Sequence, residues 1–118
     1  MTAPTSLAAR QCIPCRGDTP PLAPSEVSAL LSQVTGWEHE EFKRLRKSCR
    51  LKDFASALEY VNRVGAVAED QGHHPNLYLA WGKVEATVWT HKIDGLKESD
   101  FIFAAKMDAL YETTPGRK

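Results

Sequence analysis

The sequence lacks several features that would place it in a specialised class of protein. No uninterrupted apolar run approaches the roughly 20 residues that a membrane-spanning helix needs. Positive and negative side chains balance to a formal net charge of zero, so the chain as a whole has no electrostatic preference for nucleic acid or an anionic membrane. These absences predict a globular domain of 118 residues, with no membrane partner and no direct nucleic-acid binding.

Cysteine is also scarce. Three cysteines are too few for a disulfide framework, and only Cys12 and Cys15 form a C-x2-C pair. A structural zinc site needs four ligands at readable spacing, and this pair supplies two. The sequence therefore favours a reduced chain whose Cys12/Cys15 pair is exposed or docked, with a redox or metal site there as the weaker alternative.

The first 16 residues contain no continuous apolar segment of the kind found in secretory signals. We therefore expect a cytoplasmic protein. This stretch carries arginines and has no acid before Asp18, a composition that also occurs in transit peptides, so organellar targeting stays open.

The spacing of apolar residues predicts an α+β domain. Helical periodicity alternates with strand-like alternation along the chain, in the order α-β-β-α-β-β-α. This order corresponds to a four-stranded antiparallel sheet with three helices packed on one face. The predicted elements are a helix from Pro24 that Gly36 ends, two strands within 37–51, a helix from an Asp53 cap to about Asp70, strands at 77–81 and 83–91, and a helix at 98–112. The predicted organisation is an extended N-terminal arm at 1–23, one domain at 24–113 and a C-terminal tail at 114–118.

Three of the four histidines surround one apolar stretch. His73 and His74 follow Gly72, which is suited to the left-handed exit of a helix, and precede Pro75, which prevents the helix from continuing. His91 ends a predicted strand. Because histidine exchanges protons near neutral pH, the cluster indicates proton transfer or a metal site.

Two interpretations of the histidines involve no proton transfer. His91 with His73 or His74, and Asp100 or Glu69 as third ligand, could form a two-histidine, one-carboxylate metal site, although this spacing matches no zinc signature. Alternatively, His73 and His74 could simply cap the end of the helix, where the helix dipole favours a cation.

The third interpretation is an acid/base site. Two histidines that face one cavity can serve as acid and base in the loss of water. Nearby carboxylates can fix a histidine tautomer or bind the N–H edge of a flat heterocycle, and Trp37 or Trp81 offers a stacking face. The placement of His73 and His74 on a turn favours this chemistry over a metal.

A longer pattern then becomes apparent. The string Glu69-x3-His73-His74-Pro75-x5-Trp81-x9-His91-x8-Asp100 resembles the signature of the pterin-4a-carbinolamine dehydratases. The similarity extends to Gly36-Trp37, Asp53-Phe54, Thr90-His91 and Gly95-Leu96, and covers about residues 24–112. The arm with Cys12 and Cys15 resembles an extension found in some members.

The resemblance implies an activity. Members of this family remove water from 4a-hydroxytetrahydropterins to give quinonoid dihydropterins, which recycles the tetrahydrobiopterin cofactor of aromatic amino-acid hydroxylases. They use neither a metal nor an organic cofactor. The resemblance also implies a homodimer or homotetramer that is functionally linked to such a hydroxylase.

The resemblance further implies roles for individual residues. His73 and His91 would be the catalytic acid/base pair, and which is the acid is not specified by the pattern. The substrate-binding residues would be His74, Glu69, Asp100, Trp37 and Trp81, with His74 orienting the pterin, the two acids at the edge of the site and the tryptophans walling it. One departure is Lys97, where many relatives have a Ser or Thr that can cap the last helix and lysine cannot.

Two other functions compete with this one. Some relatives act as binding or assembly factors, so a non-catalytic scaffold role is the main alternative, although the presence of all three histidines favours the dehydratase. A local basic run could bind phosphate; its members are Lys43, Arg44, Arg46, Lys47, Arg50 and Lys52. We favour a solvated sheet face or edge for this run, since few aromatic residues lie near it.

Overall fold

The secondary structure follows the predicted order. A computed structural model describes residues 7–12 and 20–118. Its main elements are α1 (Pro24–Leu31), β1 (Glu38–Glu40), β2 (Arg44–Arg50), α2 (Phe54–Gln71), β3 (Asn76–Ala80), β4 (Lys83–Val88) and α3 (Glu98–Glu112). The strands form one antiparallel sheet in the order β1-β2-β4-β3. Three helices against one face of this sheet confirm the predicted α+β fold.

The sheet is buried on one face because its apolar residues alternate. In β4, Val84, Ala86 and Val88 are buried while the residues between them are partly exposed. They belong to the same hydrophobic core as Tyr60 of α2 and Phe101 of α3. This pattern is expected for an antiparallel sheet with helices on one side and solvent on the other.

Both ends of α2 are set by residues that the sequence singles out. The Asp53 carboxylate accepts a hydrogen bond from the backbone N–H of Ser56 at 2.8 Å, and this bond lowers the pKa of the Asp53 carboxyl. Gly72 ends the helix at φ 65°, in the left-handed conformation. The predicted cap and exit are confirmed. Among the described residues, no helix is both long and apolar enough to cross a membrane.

Two predicted elements are shorter in the structure. α1 ends at Leu31 rather than next to Gly36, because the chain then turns so that the Thr35 N–H can donate to Asp108 of α3. β4 ends at Val88, and its predicted continuation to His91 is wrong. The reason is a turn in which Thr90 pairs with Gly95 instead of a neighbouring strand.

The segments that flank the predicted domain pack against it. In the arm, Leu7–Ala9 forms a short 3-10 helix with Leu7 buried, and the Lys106 ammonium donates to the Ala8 carbonyl at 2.8 Å. The described part of the arm is therefore not wholly extended, because burial of Leu7 against α3 stabilises a turn. At the other end, the backbone N–H of Lys118 donates to the Arg50 carbonyl at 3.0 Å.

Much of the basic run on β2 is paired with acids. Arg44 lies 2.9 Å from Asp94, and Arg46 lies 3.2 Å from Glu40. Such pairing fits the predicted solvated sheet face better than a phosphate-binding strip. The absence of nucleic-acid binding stays a prediction.

One member of the run points into the protein. Lys47 faces the helices, and its ammonium lies 2.7 Å from the Asp108 carboxylate, with only 11% and 17% of the two side chains exposed. The indole N–H of Trp37 donates to the same carboxylate at 2.9 Å. A pair of charges that is mostly withdrawn from solvent tolerates the loss of one partner poorly, because the other is left uncompensated.

The Asp108→Ala substitution should therefore destabilise the fold strongly. We expect a loss of about 3–5 kcal/mol in the free energy of unfolding, measured by urea denaturation. The matched control is Glu40→Ala, which breaks an exposed pair with Arg46 and should cost no more than about 1 kcal/mol. Equal losses in the two variants would contradict a structural role for the pair of Lys47 and Asp108.

Candidate active site

The turns that carry the histidines meet at one end of the sheet. His73 and His74 lead into β3, and His91 follows β4. Because β3 and β4 are antiparallel, the start of one lies beside the end of the other, with Asn76 opposite Thr87. The sheet thus brings both histidine-bearing turns to the same end of the strands, where α3 also begins.

The Asp100 carboxylate lies between the segments that meet at this end of the sheet. The residue is fully buried, and its Oδ1 lies 2.6 Å from Nε2 of His73. Its Oδ2 accepts hydrogen bonds from the Thr90 hydroxyl and from the backbone N–H of Lys97, both at 2.8 Å. One carboxylate therefore joins the turn before β3, the turn after β4 and the first turn of α3.

This arrangement orients the imidazole of His73. An ionised carboxylate only accepts hydrogen bonds, so Nε2 of His73 carries the proton that it shares with Asp100. Nδ1 is then the nitrogen left to exchange a proton with another molecule. His73 is 13% exposed and packs against the Phe103 ring at 5.7 Å between centroids, which restricts its rotation. A histidine held by a buried carboxylate in this way suits general acid/base work.

His74 has a separate partner. Its Nε2 lies 2.6 Å from the Glu69 carboxylate in the last turn of α2, and 58% of the His74 side chain is exposed. An exposed pair of this kind contributes little stability. The two adjacent histidines therefore have different settings, one clamped by buried Asp100 and one at the solvent edge.

His91 lies on the neighbouring turn. It begins a short 3-10 helix, His91–Ile93, and its side chain is exposed. The preceding residue, Thr90, is buried and bonds Asp100, so the backbone of His91 is connected through Thr90 to the carboxylate that holds His73. The ring of His91 contacts the ring of Trp89 at 4.2 Å between centroids.

The structure places the two predicted wall residues elsewhere in a single copy of the chain. Trp37 is 6% exposed in the core and bonds Asp108, which is two turns, or about 12 Å, along α3 from Asp100. Trp81 follows the far end of β3 and is 74% exposed, about 20 Å along the chain from Pro75. Neither is brought to His73, and their assignment to the site stays a prediction.

No group of three or more His, Cys, Asp or Glu side chains is arranged to hold a metal ion within residues 7–12 and 20–118. His73 and His74 each pair with a different carboxylate instead. This geometry favours the acid/base interpretation of the histidines over a shared metal centre.

Two residues of the candidate site were not predicted as functional. The sequence marks Thr90 only as the neighbour of His91, and its bond to Asp100 has no other signal in the sequence. Trp89 alternates with apolar residues of β4, which marks it as a residue of the outer face. Its contact with His91 depends on the turn that follows, which periodicity does not reveal.

Comparison with known proteins identifies the family to which the chain belongs. Residues 20–110 match the family model described as pterin 4 alpha carbinolamine dehydratase. The chain belongs to this pterin dehydratase family. The match spans every strand and most of α3, so the predicted resemblance is confirmed over nearly the whole domain.

Individual relatives agree with this membership. A protein of Rubrobacter xylanophilus, provisionally named a pterin-4-alpha-carbinolamine dehydratase, is 52% identical over 106 residues, which cover 90% of this chain and 99% of the relative. A similarly named protein of Alkaliphilus metalliredigens is 49% identical over 108 residues and covers 87% and 94% of the two chains.

Solved structures of pterin dehydratase relatives have the same fold. The transcriptional coactivator/pterin dehydratase from Brucella melitensis superposes with a TM-score of 0.72 at 31% identity, covering 76% of this chain and 97% of that one. A pterin dehydratase-like protein described as a RuBisCO assembly factor in the alpha-carboxysome gives a TM-score of 0.55 at 25% identity, with coverages of 64% and 88%. Catalysis and assembly roles thus both occur under related names.

Cys12 lies outside the family match but close to the site. Its backbone N–H donates to the Gln71 side chain at 2.8 Å, and its thiol donates to the Ser99 carbonyl at 3.6 Å. Burial raises the pKa of the Cys12 thiol to about 11, despite the opposing charge of Lys106. Cys15 falls outside the described residues, so the geometry of the predicted pair is not described.

Because only the thiolate reacts, the raised pKa should make Cys12 slow to alkylate at pH 7.5. The rate should rise as the pH approaches 11. Peptide-level mass spectrometry of iodoacetamide-treated Cys15→Ser protein would measure the rate at Cys12 separately from that at the remaining Cys49, with urea-unfolded protein as the control. Equal rates in folded and unfolded protein at pH 7.5 would contradict the buried, protonated thiol.

Proposed function

We propose that the chain is a 4a-hydroxytetrahydropterin dehydratase, a carbon–oxygen lyase, in which His73 and His91 transfer the two protons. The observation that carries this proposal is the 2.6 Å bond between His73 and buried Asp100, with Thr90 connecting the same carboxylate to the turn of His91. Membership of the pterin dehydratase family supports the substrate class.

The proposed reaction needs one acid and one base. The bond between C4a and the hydroxyl oxygen breaks, and the acid supplies the proton with which that hydroxyl leaves as water. The base removes the proton from N5, and the electron pair of that N–H bond forms the double bond between N5 and C4a of the quinonoid dihydropterin. No electrons leave the pterin, and neither metal nor organic cofactor is required by this balance.

The settings of the histidines suit these two tasks. His73 has Nε2 committed to Asp100, so Nδ1 faces the proton exchange, while exposed His91 approaches the substrate from the adjacent turn. His74, held by Glu69 at the solvent edge, would orient the pterin, and Glu69 would border the site. Asp100 would act through His73 rather than on the substrate, because it is fully buried.

Replacing His73 or His91 with Ala should lower the dehydration rate of 4a-hydroxytetrahydropterin by about 10²- to 10⁴-fold, the usual contribution of one acid or base. Binding of an unreactive pterin analogue should weaken far less. Stopped-flow absorbance would follow the reaction, and isothermal calorimetry the binding. Activity should also survive exhaustive chelation.

The matched control for these variants is His39→Asn. His39 accepts the Phe42 N–H at the β1–β2 turn, away from Asp100, and asparagine keeps an acceptor there. This variant should retain normal activity. Unchanged rates in both His73→Ala and His91→Ala would overturn the mechanism.

A scaffold function is the second candidate, because one structural relative is described as a RuBisCO assembly factor. A folded protein without dehydratase activity would favour this alternative. The functional link to an aromatic amino-acid hydroxylase belongs to the dehydratase proposal and would lose its basis with it, whereas the expected cytoplasmic location does not depend on that activity.

We also propose that the chain forms a homodimer or homotetramer. Among the described residues, β3 is the last strand of the sheet, and its Tyr78 is 59% exposed. Unpaired edges readily accept another strand. Antiparallel pairing of two β3 strands would place Trp81 of a second copy near the turn that carries His73 and His74, which would account for the predicted role of this exposed tryptophan.

Light scattering after size-exclusion chromatography should therefore give two or four times the chain mass. In an assembled protein, Trp81→Ala should raise the KM for the pterin several-fold, while the control Phe54→Ala, at another exposed aromatic residue, should not. A monomer with full activity would contradict both the assembly and the role of Trp81.

A further inference from the structure

The three histidines differ in what holds their rings. His73 is held by Asp100 and His74 by Glu69, each through a 2.6 Å contact. The ring of His91 instead contacts the indole of Trp89. A group that moves a proton must be held in reach of that proton. The contact with Trp89 therefore orients the ring of His91, as a carboxylate orients the rings of His73 and His74.

Trp89 is itself in contact with Arg44 of the neighbouring strand β2. Leu45 pairs with Val88 across the sheet, which sets Arg44 opposite Trp89 in the continuation of the two strands. The guanidinium carbon of Arg44 lies 4.8 Å from the centre of the indole. A cation over an aromatic face is attracted to it, so this contact limits the movement of the indole.

The turn after His91 completes the arrangement. The Asp94 carboxylate accepts a hydrogen bond from the Arg44 guanidinium at 2.9 Å, and the backbone N–H of Asp94 donates to the His91 carbonyl at 3.2 Å. Asp94 has φ 45°, the left-handed conformation that lets the chain reverse there. The same residue thus anchors the guanidinium over Trp89 and closes the turn that carries His91.

We propose that Trp89 is a positioning residue for His91, held in place by Arg44 and Asp94. The inference rests on the proposed function, since it assigns His91 a proton-transfer role. Trp89 acts through the histidine and not on the pterin. Its loss therefore affects the proton transfer step and leaves substrate binding largely intact.

The Trp89→Leu substitution removes the flat ring and keeps an apolar side chain. We expect kcat to fall about 10- to 100-fold, because small displacements of a catalytic group have effects of this size, with KM within about twofold of the wild type. Trp89→Phe, which keeps an aromatic face, should recover most of kcat. A rise in KM with unchanged kcat would overturn the proposal, because Trp89 would then be a wall for the pterin.

A double-mutant cycle tests whether the effect passes through His91. If it does, adding Trp89→Leu to His91→Ala should cause no further loss of kcat, whereas independent effects would multiply. Multiplying losses would overturn the proposal. Circular dichroism and thermal unfolding of each variant would verify folding.

A second pair of variants tests the proposal if Trp89→Leu fails to fold. Arg44→Met removes the cation over the indole and should lower kcat about threefold to tenfold, smaller than the loss of the ring itself. Arg46→Met is the matched control, since Arg46 lies two residues along the same strand and pairs with Glu40. This substitution should leave kcat unchanged. Equal effects of the two substitutions would contradict the role of Arg44.

One readout does not depend on catalysis. The Cε1–H resonance of His91 should move in Trp89→Leu and much less in Trp89→Phe, because the neighbouring aromatic ring is kept only in the latter. An unchanged resonance in Trp89→Leu would overturn the positioning contact even if the protein proved to be a scaffold. Wild-type inactivity with a shifted resonance would instead contradict the proposed function alone.

Discussion

The structure of the candidate site depends on how the buried carboxylate of Asp100 is satisfied. A carboxylate without solvent must accept hydrogen bonds or be very costly to bury. Asp100 meets this requirement with three donors from three segments: His73, Thr90 and the backbone of Lys97. Satisfying one buried group therefore fixes the two histidine-bearing turns relative to each other and to α3.

A second, partly buried carboxylate secures the same helix further along its length. Asp108 binds Lys47 and Trp37 on the sheet side, eight residues beyond Asp100. With two polar contacts about two turns apart, α3 can neither slide nor rotate over the sheet without breaking one of them. The apolar residues between them supply burial without direction, so these two acids determine where the helix lies and hence where the site forms.

The local features of the fold were predictable because each depends on neighbouring residues in the chain. Asp53 and Gly72 mark the ends of α2, and Pro75 ensures that His73 and His74 fall on a turn. Contacts between distant segments were not predictable in this way. In the sequence Lys47 is only one member of a basic run, since its partner Asp108 lies 61 residues away.

The same limit separates the three tryptophans. The sequence predicts Trp37 and Trp81 as ring-stacking residues of the site, but within one copy of the chain Trp37 lies in the core and Trp81 at the far end of β3. Trp89 reaches His91 only because the chain reverses at Asp94 and does not continue as a strand. Within one copy of the chain, the turn after β4 therefore places Trp89 beside the histidine.

The departure from the family pattern at Lys97 has a physical resolution in Asp100. A Ser or Thr at that position would supply a side-chain acceptor for the free N–H groups of the first turn. The bond that is present runs the other way, from the backbone N–H of Lys97 to the Asp100 carboxylate at 2.8 Å. Every residue except proline has that N–H, so lysine can occupy the position without loss of this bond. The helix start and the orientation of His73 thus depend on one carboxylate, and a change at residue 97 that keeps the N–H leaves that link between them intact.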